Sequence, residues 1–274
     1  MNTTPEVSII IVNTNTCDWL GPCLQSLRLN DDVSAQVIVV ENQSEDGSED
    51  MVRQQFPEVE LVCNSERYGF SKNNNIGAQI AQAPLLLFLN PDTEMPPGSL
   101  RQMIDAIAAE SPVYGVFGFK IYDADNLIER STGAFPTLVS VSLDKALDKM
   151  AILRPLLQRF SQRHFLGYDC RREVDWVTGA CLWIRREVFA KVDGWDSDIF
   201  LYYEDADLCY RVRQTGMRSL YLPGISMFHY HNKTPMALKR RKQLMINGLH
   251  IFVQKHYGTL RAGVYRFFIG RSKP

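Results

Sequence analysis

The sequence predicts an α/β protein with a doubly wound, mostly parallel sheet that carries helices on both faces. Continuous apolar runs rich in β-branched residues recur along the first part of the chain, and such runs are typical of strands buried on both faces. Segments with helical periodicity separate these runs, and this alternation indicates a doubly wound sheet. Polar residues follow each run, at the positions where open α/β sheets bind ligands.

Predicted strands and helices alternate through the first half of the chain. The strands cover residues 7–12, 36–40, 59–62 and 85–89. The helices cover residues 18–29, 49–56, 71–81 and 97–109. Residues 135–173 break the alternation, and we expect a mobile acceptor loop there, because a long irregular insert in a compact domain is usually functional or disordered.

Residues 236–274 mix basic and aromatic side chains at helical spacing and predict a helical extension. A basic amphipathic helix can rest on an anionic membrane surface. The alternative is a helix packed on the domain with a solvated basic face. We therefore expect a main domain over residues 1–235, with a nucleotide-binding half over about 1–122 and an acceptor half over about 123–235, followed by this extension.

Composition places the chain among ordinary globular proteins. It has 274 residues, of which 45% are hydrophobic and 22% charged, and its formal net charge of −1 gives no argument for nucleic-acid binding. The six cysteines are scattered without a C-x-x-C pair, which is typical of reduced thiols in a cytoplasmic protein. No signal sequence or membrane-spanning apolar stretch is recognisable.

Polar segments follow the four predicted strands, at residues 13–15, 41–48, 64–70 and 90–93. Neither G-x-G-x-x-G after the first strand nor G-x-x-x-x-G-K-[ST] occurs, which counts against a dinucleotide dehydrogenase and a P-loop enzyme. Asp and Asn side chains could still bind a base and ribose, with a metal ion on the phosphates.

An acidic run follows an apolar, aromatic stretch at residues 200–209. Glu204, Asp205 and Asp207 open a predicted helix, where carboxylates are stabilised by free backbone N–H groups and the helix dipole. Carboxylates beside apolar rings also suit acid/base chemistry. The residues alone leave both interpretations open.

Taken together and in order, several segments resemble family 2 glycosyltransferases of the GT-A fold, and among these the rhamnosyltransferase-like branch that acts on bacterial surface polysaccharides. The matching segments are residues 7–15, 37–48, 68–77, 87–92 and 174–181, the acidic run, and residues 228–231. The resemblance implies a GT-A fold, a Rossmann-like sheet with a C-terminal acceptor-side region.

The resemblance also assigns residues to the donor side. The family's D-x-D motif corresponds to Asn90-Pro91-Asp92, which implies that Asp92 binds Mn²⁺ or Mg²⁺ on the donor diphosphate, with Asn90 replacing the first Asp. His229 occupies the family's later metal-ligand position, and a structural histidine is the alternative. Contacts to the nucleotide are implied for Asn13, Glu41, Asn42 and Asp46, with Asn75 supporting them.

On the acceptor side, the resemblance implies that Asp205 is the general base and that Glu204 orients the acceptor or holds Asp205. Asp207 is expected to be a cap or a helix-surface residue. Trp176, Thr178 and Gly179 are assigned to acceptor binding, with ordinary core packing as the alternative.

The function implied is inverting transfer of a sugar in cell-surface polysaccharide synthesis. The implied donor is dTDP-β-L-rhamnose, or another UDP or dTDP sugar, and the acceptor is a saccharide, free or linked to a polyprenyl diphosphate. The expected location is cytoplasmic, either free or peripheral on the inner face of the plasma membrane. Two alternatives stay open: a non-catalytic nucleotide- or glycan-binding scaffold, and a nucleotidyltransferase, whose glycine- and basic-rich loop is lacking at residues 13–16.

Overall fold

The computed structural model describes residues 4–137, 168–230 and 237–269. Residues 138–167, most of the expected mobile acceptor loop, lie outside the described residues. No helix in the described ranges is long and apolar enough to cross a membrane. The six cysteines are free thiols.

A mixed sheet with a parallel core organises the protein. Its strands are β1 (Val7–Asn13), β2 (Ala35–Glu41), β3 (Glu60–Cys63), β4 (Leu85–Leu89), β5 (Thr93–Glu94), β6 (Tyr114–Tyr122), β8 (Arg172–Val174), β10 (Cys181–Arg185) and β11 (Arg218–His229). They run in the order β3-β2-β1-β4-β10-β6-β11-β5, and β8 pairs with β11. Two short strands, β7 (Thr132–Gly133) and β9 (Trp176–Val177), form a separate pair.

Strand directions divide the sheet at β10. The strands β3, β2, β1 and β4 are mutually parallel, as the buried apolar runs predict. Strand β10 is antiparallel to both of its neighbours, β4 and β6, while β6 and β11 are again parallel. The prediction of a mostly parallel doubly wound sheet is therefore confirmed.

Helices cover both faces of the sheet. They are α1 (Cys17–Arg28), α2 (Ser48–Gln55), α3 (Phe70–Ile80), α4 (Ser99–Ala108), α5 (Arg186–Lys191), α6 (Glu204–Gln214), α7 (Leu238–Tyr257) and α8 (Thr259–Ile269). The first four agree with the predicted helices to within two residues at each end.

Alternate residues of β1 reach two separate cores. Ile9 and Ile11 belong to one buried cluster with side chains of α1 and α4, and Ile10 belongs to a second cluster that includes residues of α6 and α7. Helix α3 approaches this second cluster at Gly77, where a Cβ atom would lie only 2.5 Å from Cγ2 of Ile10. The glycine thus lets α3 lie close to the strand whose end forms part of the site.

Candidate active site

A cavity of about 990 Å³ opens at the carboxyl ends of β1, β2 and β4, between these strand ends and the start of α6. This is the position at which open α/β sheets bind ligands. Most of the residues singled out from the sequence line it, namely Asn42, Asn90, Asp92, Trp176, Thr178, Gly179, Glu204, Asp205 and His229.

Asn13 and Glu41, which do not line the cavity, hold the ends of β1 and β2 in place. Asn13 and Glu41 are register partners on β1 and β2, and the Asn13 amide donates a 2.6 Å hydrogen bond to Glu41 Oε2. The other oxygen of Glu41 accepts a hydrogen bond from the Ser44 backbone N–H at 2.7 Å. Both carboxylate oxygens are therefore engaged in holding the loop after β2.

Asn42 lies at the cavity wall with its amide engaged by the protein. Its Nδ2 donates to the Thr14 hydroxyl at 3.0 Å, and its Oδ1 accepts from the Tyr68 backbone N–H at 2.8 Å. These bonds connect the loops that follow β1, β2 and β3. They fix the shape of the cavity at these strand ends.

Asp46 and Asn75 lie away from the cavity. Asp46 Oδ2 accepts a 2.7 Å hydrogen bond from the backbone N–H of Cys17, the first residue of α1. Partial burial opposes ionisation of Asp46, but the bonds from Ser48 and Cys17 outweigh it and lower the pKa. Asn75 exchanges two hydrogen bonds with the backbone of Trp195, at 2.8 and 2.9 Å. Both side chains support the frame of the site.

Asp92 and His229 meet at the end of β4. Strand β5 pairs with β11, and the Tyr230 backbone N–H donates to the carbonyl of Asp92 at 2.9 Å. This pairing places His229 Nε2 3.2 Å from Asp92 Oδ1, and 3.3 Å from the amide nitrogen of Asn90. The predicted ligand pair is therefore brought together by main-chain hydrogen bonds.

Glu129 completes this arrangement, and sequence reasoning missed it. Its Oε2 lies 2.9 Å from His229 Nδ1, the ring nitrogen that faces away from Asp92. Burial opposes protonation of His229, but the Asp92 and Glu129 carboxylates outweigh it and raise its pKa to about 9. Glu129 stands outside any strand or helix motif, so no periodicity or spacing could have indicated it.

The donor set fits a divalent cation shared with a diphosphate. In the described parts of the chain, no cluster of three or more His, Cys, Asp or Glu side chains is suited to holding a metal ion. Asp92 Oδ1 and His229 Nε2 supply one oxygen and one nitrogen, and Mg²⁺ sites commonly combine one or two protein ligands with substrate phosphates. A carboxylate on the second ring nitrogen of a ligating histidine is the usual way to orient it.

Glu204 and Asp205 begin α6 and line the same cavity. The two preceding residues, Tyr202 and Tyr203, both have left-handed φ angles, 69° and 70°, which is uncommon for side chains of this size. Asp205 Oδ1 accepts from the Ala206 backbone N–H at 2.7 Å, and Oδ2 lies 3.4 Å from the Gly179 N–H. The sharp turn thus aims the acidic pair at the cavity.

The surroundings of Glu204 and Asp205 affect the pKa values of the two carboxyl groups differently. Burial raises the pKa of Asp205 to about 6, and hydrogen bonds from Ala206 and Gly179 limit the rise. Burial and the charge of Asp205 raise the pKa of Glu204 well above its usual range. The charge of Asp205 therefore favours the protonated form of Glu204, and backbone hydrogen bonds favour the ionised form of Asp205. An enclosed carboxylate with a pKa near the working pH suits a general base.

Asp207 was expected to be a cap or a surface residue, and this expectation is wrong. Its side chain is fully buried and forms no capping bond. Oδ2 accepts from Arg211 Nε at 2.7 Å, while Oδ1 lies 2.7 Å from His256 Nε2 and 2.9 Å from Lys255 Nζ. The sequence of α6 alone could not show that the end of α7 returns to cover it.

The residues expected to bind the acceptor, Trp176, Thr178 and Gly179, also line the cavity. The Trp176 indole N–H donates to the carbonyl of Ala134 at 3.0 Å, which leaves the ring half-buried at the cavity. Thr178 and Gly179 lie directly before β10, and Gly179 packs against the ring of Phe70. Arg240 and Arg241 of α7 also line the cavity.

Comparison with known proteins gives consistent matches. The family model for glycosyl transferase family 2 matches residues 8–193. An N-acetylglucosaminyl-diphospho-decaprenol L-rhamnosyltransferase of Mycobacterium tuberculosis is 28% identical over 239 residues, covering 83% of this chain and 76% of that protein. Rhamnosyltransferase WbbL of Escherichia coli is 27% identical over 233 residues, covering 82% and 83%.

Solved structures show the same fold. A mannosyltransferase of Pyrobaculum calidifontis, solved with GDP-Man and Mn²⁺, superposes with a TM-score of 0.62 at 16% identity and covers 96% of this chain and 70% of its own. Residues 1–349 of TarS from S. aureus superpose with a TM-score of 0.58 at 13% identity, covering 97% and 75%.

Proposed function

The chain belongs to glycosyl transferase family 2, and we propose that it transfers L-rhamnose from dTDP-β-L-rhamnose to a lipid-linked saccharide with inversion at the anomeric carbon. One observation carries the proposal: a half-buried carboxylate, Asp205, lines the same cavity as the Asp92–His229 pair. Open α/β sheets bind ligands at the carboxyl ends of their strands, which supports a donor site at this position. The two similar rhamnosyltransferases support the choice of sugar.

In the proposed reaction, Asp205 accepts the proton of the acceptor hydroxyl as the hydroxyl oxygen attacks the anomeric carbon. The bond from this carbon to the diphosphate oxygen breaks on the opposite face, so the configuration inverts. In its protonated form, which burial and the charge of Asp205 favour, Glu204 can donate a hydrogen bond and hold the acceptor or Asp205 in place. General base catalysis of this kind typically contributes about 10²–10⁴-fold.

Asp92 and His229 would hold a divalent cation, Mn²⁺ or Mg²⁺, and Glu129 would orient the imidazole. When bound, such a cation stabilises the negative charge that develops on the departing nucleoside diphosphate. Asn42 and Asn90 lie at the cavity wall where the donor would bind, while Asn13, Glu41, Asp46 and Asn75 hold the loops around it.

We further propose that residues up to about 122 form the nucleotide-binding half and residues 123–235 the acceptor half. The acceptor proposed is a sugar carried on a polyprenyl diphosphate, as in the name of the mycobacterial relative. Helix α7 is proposed to approach the inner surface of the plasma membrane, since Leu238 at its start is 81% exposed beside Lys239.

The proposal is tested by supplying the protein with Mn²⁺, an N-acetylglucosaminyl-diphospho-alkyl acceptor and a panel of nucleotide sugars. We expect release of dTDP and a rhamnosylated product with dTDP-β-L-rhamnose, and an increase in melting temperature with dTDP and Mn²⁺. A UDP sugar giving faster transfer would correct the donor. A protein that binds nucleotide without releasing a nucleoside diphosphate from any donor would be a scaffold.

A further inference from the structure

Helix α7 forms one wall of the cavity on the side of the proposed base. Arg241, Met245 and Gly248 lie on one face of this helix, and the first two line the cavity. At Gly248 the helix meets the turn before α6 so closely that a Cβ atom would overlap the carbonyl oxygen of Tyr202. Arg241 therefore projects from a helix seated directly against the turn that aims Asp205.

The opposite end of α7 is fixed as well. His256 and Lys255 both contact the buried carboxylate of Asp207, which lies two residues after Asp205 on α6. Because α7 is attached at Gly248 and again at residues 255–256, the position of Arg241 relative to Asp205 is set by packing.

Arg241 lacks an anionic partner. Across the described ranges, no carboxylate lies within ion-pair distance of Arg240 or Arg241, and the enclosed Nε of Arg241 has no hydrogen-bond partner. The guanidinium lies beside the Tyr202 phenol: burial raises the pKa of Tyr202, while the charge and hydrogen bond of Arg241 act in the opposite direction. A half-buried, unpaired guanidinium at a cavity wall is suited to binding an anionic ligand.

The side of the cavity identifies which anion this is. In a single displacement, the base and the leaving diphosphate lie on opposite faces of the anomeric carbon. Asp92 and His229 are the residues proposed to hold the leaving diphosphate, whereas Arg241 contacts the phenol of Tyr202, in the turn that carries the base. A cation on the base side faces the acceptor, and an acceptor of the proposed kind carries its own diphosphate one sugar ring away from the attacking hydroxyl.

We propose that Arg241, assisted by Arg240, binds the diphosphate of the lipid-linked acceptor; this inference rests on the proposed function. The planar guanidinium can donate two parallel hydrogen bonds to phosphate oxygens, which places the acceptor sugar against Asp205. The pair thereby selects acceptors that carry a diphosphate over neutral glycosides of the same sugar.

The test compares two acceptors that share one sugar, an N-acetylglucosaminyl-diphospho-alkyl lipid and the matching alkyl glycoside without phosphate. We expect Arg241→Ala to raise KM for the diphosphate acceptor by about tenfold or more, as the loss of a charge-assisted hydrogen bond predicts, and to leave KM for the glycoside unchanged. Arg241→Lys keeps the positive charge but lacks the planar guanidinium that can donate two parallel hydrogen bonds. It should give an intermediate KM for the diphosphate acceptor. Lys242→Ala is the matched control, because Lys242 is an exposed neighbour that does not line the cavity.

Three results would overturn the assignment: an unchanged KM for the diphosphate acceptor, an equal loss with both acceptors, or a weakened thermal shift by dTDP and Mn²⁺, which would place Arg241 on the donor diphosphate. If the wild-type protein transfers no sugar, the proposed function fails, and calorimetric binding of the two acceptors then decides the subsite separately. Tighter binding of the diphosphate acceptor that Arg241→Ala abolishes would uphold the subsite, and equal binding of both acceptors would reject it.

Discussion

The imidazole of His256 and the carboxylate of Asp207 join α7 to α6 through a hydrogen bond of 2.7 Å in the protein interior. Arg211 and Lys255 contact the same carboxylate, so one buried anion is shared by three donors. Because Asp207 is one turn from the start of α6, this cluster fixes the wall of the cavity relative to the acidic pair.

Asp207→Asn is expected to lower the free energy of unfolding by ~3–5 kcal/mol, because it leaves the largely buried Arg211 guanidinium without its counterion. Burial opposes ionisation of Asp207, but its contacts with His256, Arg211 and Lys255 lower its pKa from 3.8 to about 2. The ionised carboxylate therefore contributes its full stability at pH values above the pKa of Asp207 in the unfolded chain. This contribution disappears as the pH falls through the pKa of Asp207 in the folded protein. Urea unfolding at pH 7 measures the change. Asp50→Asn, at an exposed carboxylate, is the control, and equal values for both variants would contradict the role given to Asp207.

Asp205→Asn is expected to reduce transfer by at least about 10²-fold, since the amide cannot accept the acceptor proton. Nucleotide binding should be preserved, because the proposed role of Asp205 is toward the acceptor hydroxyl and not toward the nucleotide. Initial rates of dTDP release measure the first effect, and the melting-temperature shift with dTDP and Mn²⁺ measures the second. An Asn variant with substantial activity would exclude Asp205 as the base.

The rate is expected to fall in acid with an apparent pKa about that of Asp205, near 6. A protonated Asp205 cannot act as a base, so kcat/KM should rise with pH through this value and then level off. Glu204→Gln should leave this acid limb of the pH profile in place, because we assign it to the titration of Asp205. A limb that disappears in the Gln variant would show that Glu204, and not Asp205, titrates there.

Glu129→Gln is expected to weaken Mn²⁺ binding by about 10–100-fold, the usual effect of losing a carboxylate that orients a ligating histidine. The protein is titrated with Mn²⁺ in the presence of dTDP, and free Mn²⁺ is followed by electron paramagnetic resonance. Glu66→Gln, at an exposed side chain, provides the comparison. Identical Mn²⁺ affinity in the two variants would remove Glu129 from the site.

Gly248→Ala is expected to displace α7 from the turn at Tyr202, at a cost of about 1–3 kcal/mol in stability, because the new methyl group meets backbone. Gly263→Ala in α8 is a matched control, since open space surrounds that position. There the substitution should stabilise the protein by up to about 1 kcal/mol through helix propensity. Thermal unfolding of both variants provides the measurement, and a Gly248→Ala protein as stable as the wild type would contradict the close packing.

The parallel half of the sheet could be predicted because its strands are buried on both faces and are therefore uniformly apolar. The position of β10 could not, since Cys181–Arg185 reads as an ordinary apolar strand and only tertiary pairing inserts it antiparallel between β4 and β6. The sequence indicated that the polar side chains near the strand ends belong to one site. It did not indicate which of them line the cavity and which of them hold neighbouring loops. Glu41 and Asn75 carry the same polar groups as a ligand contact would, and whether those groups face ligand or protein depends on the conformation of neighbouring loops.

The antiparallel strand β10 has a consequence for folding. It connects β4, which ends at Leu89 directly before Asn90, to β6 by main-chain hydrogen bonds, so the proposed donor-side and acceptor-side residues belong to one continuous sheet. A fragment ending near residue 122 would leave β6 without either neighbour and β4 with an open edge, a surface prone to pairing with other chains. We therefore expect the two proposed halves to fold as one cooperative unit, and neither to exist as an independently folding module.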